Sequence, residues 1–298
     1  MVAGKEPTCG MVSAGGMECR AGSCRHGGKG PLCAGPEDLD RWQAWPTGPD
    51  WHSCWPGSPR HCGPTACYSM SEPAIHIQDL TVRYGRALPA VLSGLNISIW
   101  PGERVALVGL NGSGKTTLLL SLVGLLGFDG RIRILGVELA RSTTWQVRAK
   151  VGLLFNPPED QLLLPRVIDD VAFGPMARGT PRQQAYQTAR SCLEQLEIGH
   201  LADLSIHTLS HGQRQLVALA GILACQPQVL LLDEPSAGLD PVGRRRLQAI
   251  LKGLDATMLI ATHDLDLAEG LCTRAILLEA GKVAHDGQIS YVRQLWQI

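Results

Sequence analysis

The chain predicts an α/β fold, and three observations carry that prediction. Short apolar runs at Val151 to Phe155, Val229 to Leu232, Met258 to Ala261 and Ala275 to Leu278 have the length of buried strands. Helix-like stretches separate them, as in an α/β sheet where strands and helices alternate. Further strand patterns cluster ahead of these runs, and no repeat at a fixed period appears.

Taken in order, Ile75 to Tyr84 alternates apolar with polar residues, the pattern of a strand. Val91 to Trp100 follows as a second strand, Pro101 and Gly102 turn the chain, and Arg104 to Val108 is a short apolar run. A helical stretch from Leu118 to Leu126 comes next, then the first of the four apolar runs. Pro181 to Leu196 is richer in helix formers, and a further helix runs through Leu216 to Ala224.

Composition bounds the function classes. With 298 residues, 45% hydrophobic and 18% charged, the chain reads as one or two globular domains rather than a disordered polyelectrolyte. Lys plus Arg and Asp plus Glu each count 27, so neither a basic field for nucleic acid nor an acidic one for cationic partners is present. Neither a run of 18 apolar residues nor an apolar leader segment is visible, so contact with a membrane is expected through another chain.

The average conceals a break near residue 70. Residues 1–69 hold 12 Gly and 8 Pro, about 29% of the segment, and only seven residues from Val, Leu, Ile, Met and Phe. Such a stretch buries too little apolar surface to offset chain entropy. It holds seven of the ten cysteines. Cys19 with Cys24, and Cys62 with Cys67, have a spacing within the range of zinc knuckles, and His26, His52 and His61 are nearby. Neither pair lies between strand or turn signals, and an odd count with no export signal argues against a disulfide framework. The expectation is a low-complexity tail over 1–69, disordered or not part of the native protein, with Met70 as the working start. The 229 residues of 70–298 suffice for a core burying roughly 70% of the unfolded surface.

The strongest chemical signal is GLNGSGKTT at Gly109 to Thr117, after the buried run Val105 to Val108 and before a helix. Gly109, Gly112 and Gly114 let backbone N–H groups curl around phosphate oxygens, with Asn111 and Ser113 in the same cradle, while the helix presents its positive end. Lys115 adds a point charge toward the β and γ phosphates, Thr116 offers a hydroxyl to Mg²⁺, and Thr117 is placed for a further phosphate contact. A magnesium nucleotide site needs a second carboxylate from a neighbouring strand. Val229 to Leu232 ends in Asp233, placed to hold the metal, and Glu234, placed to polarise the attacking water.

LSHGQRQ at Leu209 to Gln215, then LLLDEP, SAGLD at Ser236 to Asp240 and ATHD with His263 follow the phosphate loop in that order. Over about residues 74–290 the chain resembles an ABC transporter nucleotide-binding subunit. The resemblance implies a P-loop NTPase of the ABC ATPase type, with a RecA-like core, an antiparallel β subdomain and a helical subdomain at about 158–212. It implies ATP and Mg²⁺ as ligands, with Tyr84 stacked on adenine. Ser210, Gly212 and Gln213 would open a helix toward the γ phosphate of a second ATPase subunit, in a homo- or heterodimer, and Asp240 would join the nucleotide contacts. Lys115, Glu234 and His263 would be the catalytic set, His263 holding Glu234 and the water in register.

Two positions depart from the family pattern. His211 stands where the signature has Gly, a substitution expected to be tolerated, adding a contact or a pH dependence. Asn156 occupies the usual Gln position before Mg²⁺, and its shorter amide reaches the metal only through water unless Gln161 substitutes.

EDQLLLPRVIDDVAFGP at Glu159 to Pro175 resembles the equivalent region of energy-coupling factor importers and their cobalt or nickel members, although Leu162, Leu163, Leu164 and Val171 read equally as core. The resemblance implies the ATP-hydrolysing subunit of an importer, peripheral at the cytoplasmic face, energising separate integral membrane subunits for cobalt or nickel uptake. The alternatives are an importer of biotin or another vitamin and a non-transport ABC ATPase. An ATPase acting on DNA or ribosomes would carry a tandem cassette, a coiled-coil insertion or a basic surface, and a silent subunit would lack Lys115, Glu234 or His263. Cys192, Cys225 and Cys272 read as reduced core thiols.

Overall fold

Apolar alternation along the pleat builds the first of two sheets, and uninterrupted apolar runs build the second. The computed structural model describes residues 72–85 and 87–296. The expected tail over 1–69, its cysteine pairs and the start at Met70 lie outside the described residues. Strands β1 (Ile75–Val82) and β2 (Leu92–Ile99) pair antiparallel. They are followed by β3 (Arg104–Val108), α1 (Lys115–Leu122), β4 (Phe128–Ile134) and β5 (Val137–Glu138). The first sheet has the order β2-β1-β4-β5 and is antiparallel throughout. Asp79 adopts a left-handed φ of 51°, and the β1–β2 register shifts between Ile77 and Leu80, bulging the strand.

Next come α2 (Thr144–Lys150), β6 (Val151–Leu154), α3 (Val167–Ala177), α4 (Arg182–Gln195) and α5 (His211–Leu223). The chain closes with β7 (Val229–Asp233), α6 (Pro241–Gly253), β8 (Thr257–Ala261), α7 (Leu265–Leu271), β9 (Arg274–Glu279), β10 (Lys282–Gln288) and α8 (Ile289–Trp296). The second sheet has the order β10-β9-β3-β8-β7-β6; β10 runs antiparallel to β9 and every other pairing is parallel.

Parallel strands are covered on both faces, which is why these runs read as continuously apolar. One face carries Val105, Leu107, Val229, Leu231, Leu259, Ala261, Ile276 and Leu278, which cluster with α1 and the antiparallel sheet. The other carries Ala106, Val108, Leu230, Leu232, Met258, Ile260, Ala275 and Leu277, which cluster with residues of α3 to α8. Each such Leu or Ile contributes about 1.5–3 kcal/mol by leaving water. Helices α3, α4 and α5 pack on one another, with Val171, Ala185, Ala189, Leu193 and Val217 buried between them.

Two sequence expectations need correction. Helix α1 spans Lys115–Leu122 rather than Leu118 to Leu126, because it opens at the phosphate loop and Gly124 turns left-handed at φ 66°. Strands β4 and β5 were not expected after residue 115; Gly130 and the exposed Asp129 interrupt the apolar alternation of β4, whose partner β1 lies about fifty residues upstream.

Candidate nucleotide site

Strand β3 must turn into α1 within six residues. Gly114, the residue preceding α1, sits at φ 106°, and a Cβ there would lie 2.5 Å from the Leu92 side chain of β2. A Cβ on Gly109 would lie 2.5 Å from the Leu278 carbonyl of β9 and from Ser113 Oγ, so only glycine lets the loop press this closely on the sheet. Ser113 Oγ is buried and without a partner. The first N–H groups of a helix have no intrahelical acceptor, so the start of α1 offers donors to an anion.

Lys115 is buried, and its Nζ donates to the carbonyls of Gly109 at 2.7 Å and Leu110 at 3.2 Å. Thr116 Oγ1 donates to Asp233 Oδ2 at 2.6 Å. The carboxyl of Asp233 is pushed above the usual range by burial, an effect the Thr116 hydrogen bond opposes. Tyr84 is 58% exposed, and its hydroxyl lies 3.1 Å from Thr117 Oγ1.

Asp233 and Glu234 are adjacent in sequence and make separate contacts. Glu234 takes a left-handed φ of 46°, and its N–H donates to the Ala261 carbonyl of β8 at 2.8 Å. Its Oε2 accepts from Thr262 Oγ1 at 3.2 Å and from the His263 N–H at 3.4 Å, and lies 2.8 Å from His263 Nδ1. The expected adjacency of the two key strands needs amending: β8 lies between β3 and β7. That interposition brings His263 to Glu234, while α1 carries Thr116 over to Asp233.

A cavity of about 370 Å³ is lined by Tyr84, Val91, Asn111, Gly112, Gly114, Lys115, Thr116, Thr117, Asn156, Asp233 and Glu234. A second of about 370 Å³ is lined by Gly109, Leu110, Asn111, Asn156, Glu234, Ala237 and His263. The two share Asn111, Asn156 and Glu234. Gln161, the alternative amide, has Oε1 committed to the N–H of Phe155 at 3.2 Å.

Other expected residues lie apart from these cavities. Ser210 caps α5: its Oγ accepts from the N–H of Gln213 at 3.3 Å while its own N–H donates to Gln213 Oε1 at 2.9 Å. Neither of these two residues, nor Gly212, lines either cavity. Asp240 caps α6, accepting from the N–H of Gly243 at 2.6 Å. His211 Nδ1 lies 3.5 Å from Glu159 Oε1, which also accepts from Arg214 at 2.5 Å. The carboxyl of Glu159 is held below its usual range by a backbone hydrogen bond first and by Arg214 second.

Sequence reasoning missed Thr262 and Gln215. Thr262 is fully buried; besides its bond to Glu234, its Oγ1 accepts from the N–H of Asp264 at 3.0 Å. Its signal was the position between β8 and His263 in ATHD. Gln215, buried in α5, donates from Nε2 to the Glu234 carbonyl at 3.4 Å. The three remaining cysteines are free thiols, and burial pushes Cys192 up to about 11 and Cys272 up to about 12. Among the described residues no helix is long and apolar enough to cross a membrane. Nor do they contain a group of three or more His, Cys, Asp or Glu able to hold a metal ion by themselves.

A phosphate loop at the carboxyl edge of a parallel sheet, with two acids making separate contacts at the end of another strand, defines the class: a P-loop nucleoside triphosphatase. The ABC transporter family pattern matches residues 92–237. The chain is 48% identical over 221 residues, 73% of its length and 90% of the relative, to gll0289 of Gloeobacter violaceus, which carries a provisional description as an ABC transporter ATP-binding protein. It is similar to the solved structure of cbiO1 from Clostridium perfringens, described as part of the ABC transporter complex cbiONQ, with TM-score 0.67, 33% identity, and 75% and 91% of the two chains covered. It is also similar to the ATP-binding cassette MJ0796, solved as a dimer bound to ADP and Pi, with TM-score 0.66, 26% identity, and 72% and 98% covered. The chain belongs to the ABC transporter ATP-binding family: it has the ABC ATPase fold and is an ATPase subunit that serves a transporter.

Proposed function

We propose that this chain hydrolyses MgATP as one half of a dimer of ATPase subunits and drives uptake of cobalt or nickel ions through separate integral membrane subunits, peripheral at the cytoplasmic face. The observation that carries the chemistry is the division of labour between adjacent acids: Asp233 bonded to Thr116, and Glu234 held against Thr262 and His263.

Thr116 Oγ1 and Asp233 Oδ2 are hard oxygen donors 2.6 Å apart, a set that suits Mg²⁺ completed by phosphate oxygens and water. Asn156, exposed at the rim, belongs to the same set through water. When bound, Mg²⁺ neutralises phosphate charge. Lys115 exchanges two loop carbonyls for the β and γ phosphate oxygens, with Gly109 to Thr117 cradling the triphosphate and Tyr84 stacking on adenine. Glu234 accepts a proton from the attacking water as its oxygen bonds to the γ phosphorus; the bond to the bridging oxygen breaks, and ADP and phosphate leave. His263 keeps Glu234 and the γ phosphate in register.

The signature residues Ser210, Gly212 and Gln213, with Asp240, serve the partner's nucleotide, which fits their standing apart from this chain's own cavities. Residues 158–212 form the helical subdomain that contacts the membrane subunits. The solute reading rests on the likeness of Glu159 to Pro175 to cobalt and nickel importers and is supported by the similarity to cbiO1. Its test is uptake of radiolabelled cobalt or nickel by cells or vesicles holding this chain with its cognate membrane proteins. Uptake abolished by Glu234→Gln supports the reading; ATP-dependent accumulation of biotin or another vitamin instead would overturn the solute assignment.

A further inference from the structure

Gln215 stands in the second turn of α5 and is only 1% exposed. A buried amide needs its hydrogen bonds, and an unmet one costs about 1–3 kcal/mol. Gln215 meets half its need: Nε2 donates to the Glu234 carbonyl at 3.4 Å, while Oε1 is buried without a partner. The same carbonyl accepts from the N–H of Ala237 at 3.0 Å.

That carbonyl belongs to a residue in an unfavourable conformation. A left-handed φ of 46° on a glutamate costs on the order of 1–3 kcal/mol and persists only where the surroundings over-determine it. The Ala261 carbonyl holds the Glu234 N–H on one side, and Gln215 with Ala237 holds its carbonyl on the other. Helix α5 also presses on the segment that follows. The His211 ring lies so close to Gly238 that a Cβ there would stand 2.3 Å from a ring carbon.

We propose that Gln215 is a positioning residue for Glu234. Its amide fixes the peptide plane from which the Glu234 carboxylate is aimed at Thr262 and His263. This rests on the reading of Glu234 as the group that accepts the water proton. The link runs through α5, so the helix capped by Ser210 for the partner's nucleotide also aims the base that serves this chain's own.

The variant that separates aiming from folding is Gln215→Met, which matches the side chain in length and removes both the donor and the orphan acceptor. The expected result is a thermal midpoint equal to or above wild type, KM for ATP within about twofold and kcat lowered about threefold to tenfold, the share of one neutral hydrogen bond. Gln215→Leu repeats the measurement with a shorter apolar chain should Met pack badly. Wild-type kcat in these variants, with Glu234→Gln inactive beside them, would overturn the proposal. So would a kcat that falls only in step with the thermal midpoint, since that is loss of fold. Full turnover in Glu234→Gln would instead remove the base itself, a failure visible without any Gln215 variant.

Discussion

His263 Nδ1 lies 2.8 Å from Glu234 Oε2, although the imidazole is 68% exposed and the carboxylate is nearly buried. The exposed ring thus closes the open side of a carboxylate whose other partners are the Thr262 hydroxyl and the His263 N–H. Replacing Glu234 by Gln keeps the shape and removes the proton acceptor. Turnover should fall about 10² to 10⁴-fold, with ATP binding and nucleotide-dependent dimerisation retained. Steady-state kinetics with gel filtration plus and minus ATP checks this, and undiminished turnover removes Glu234 from its role.

Lys115→Ala should weaken the grip on the triphosphate itself. The ammonium is buried against two loop carbonyls at the floor of the phosphate loop, so the main effect falls on phosphate binding. Loss of such a contact, stronger in the transition state, costs about 3–4 kcal/mol in kcat/KM. Equal ATP affinity by calorimetry in wild type and variant would contradict the cradle.

Tyr84 separates stacking from hydrogen bonding. Tyr84→Ala should weaken ATP binding by about 1–3 kcal/mol, the range for an aromatic ring against a base. Tyr84→Phe loses only the 3.1 Å contact with Thr117 and should bind ATP within about twofold of wild type, as read by fluorescent nucleotide titration.

The Glu159 cluster gives a pH dependence of known sign. A carboxyl held below its usual value stabilises the fold above the unfolded pKa and loses that contribution as pH falls through the folded one. The melting-temperature gap between wild type and Glu159→Gln should therefore be present at about pH 5 and close as pH falls below about 4. The gap will be small because the pair is exposed and screened. A gap unchanged at low pH would assign it to packing rather than charge.

Leu163 is 69% exposed, and its N–H is held by Asp170 Oδ1 at 2.7 Å, which pins the residue in place. With Phe173 it leaves apolar surface uncovered on the region assigned to the membrane subunits. Leu163→Asp should leave the ATPase activity of the isolated subunit within about twofold and weaken co-purification with those subunits. Unaltered co-purification and transport would place the contact elsewhere.

What was legible in advance follows from where the information lies along the chain. The runs forming β3, β6, β7, β8 and β9 declare themselves because both faces of a parallel sheet are dry, leaving uninterrupted apolar residues. The phosphate loop, Asp233, Glu234 and His263 were readable because each adjoins the end of such a strand. Strands β4 and β5 were not, because β4 takes its place by pairing with the distant β1 across a bulge at Asp79.

By itself, then, the sequence determined the α/β class, the phosphate loop and the chemical identity of the groups around it, all of which are local patterns. The tertiary structure alone decided that β8 separates β3 from β7, that Thr116 meets Asp233 across 117 positions, and that Gln215 is buried against the carbonyl of a left-handed Glu234. Those relations depend on strand order and on which side chains the packed core forces together, and neither quantity is a property of any short stretch of chain.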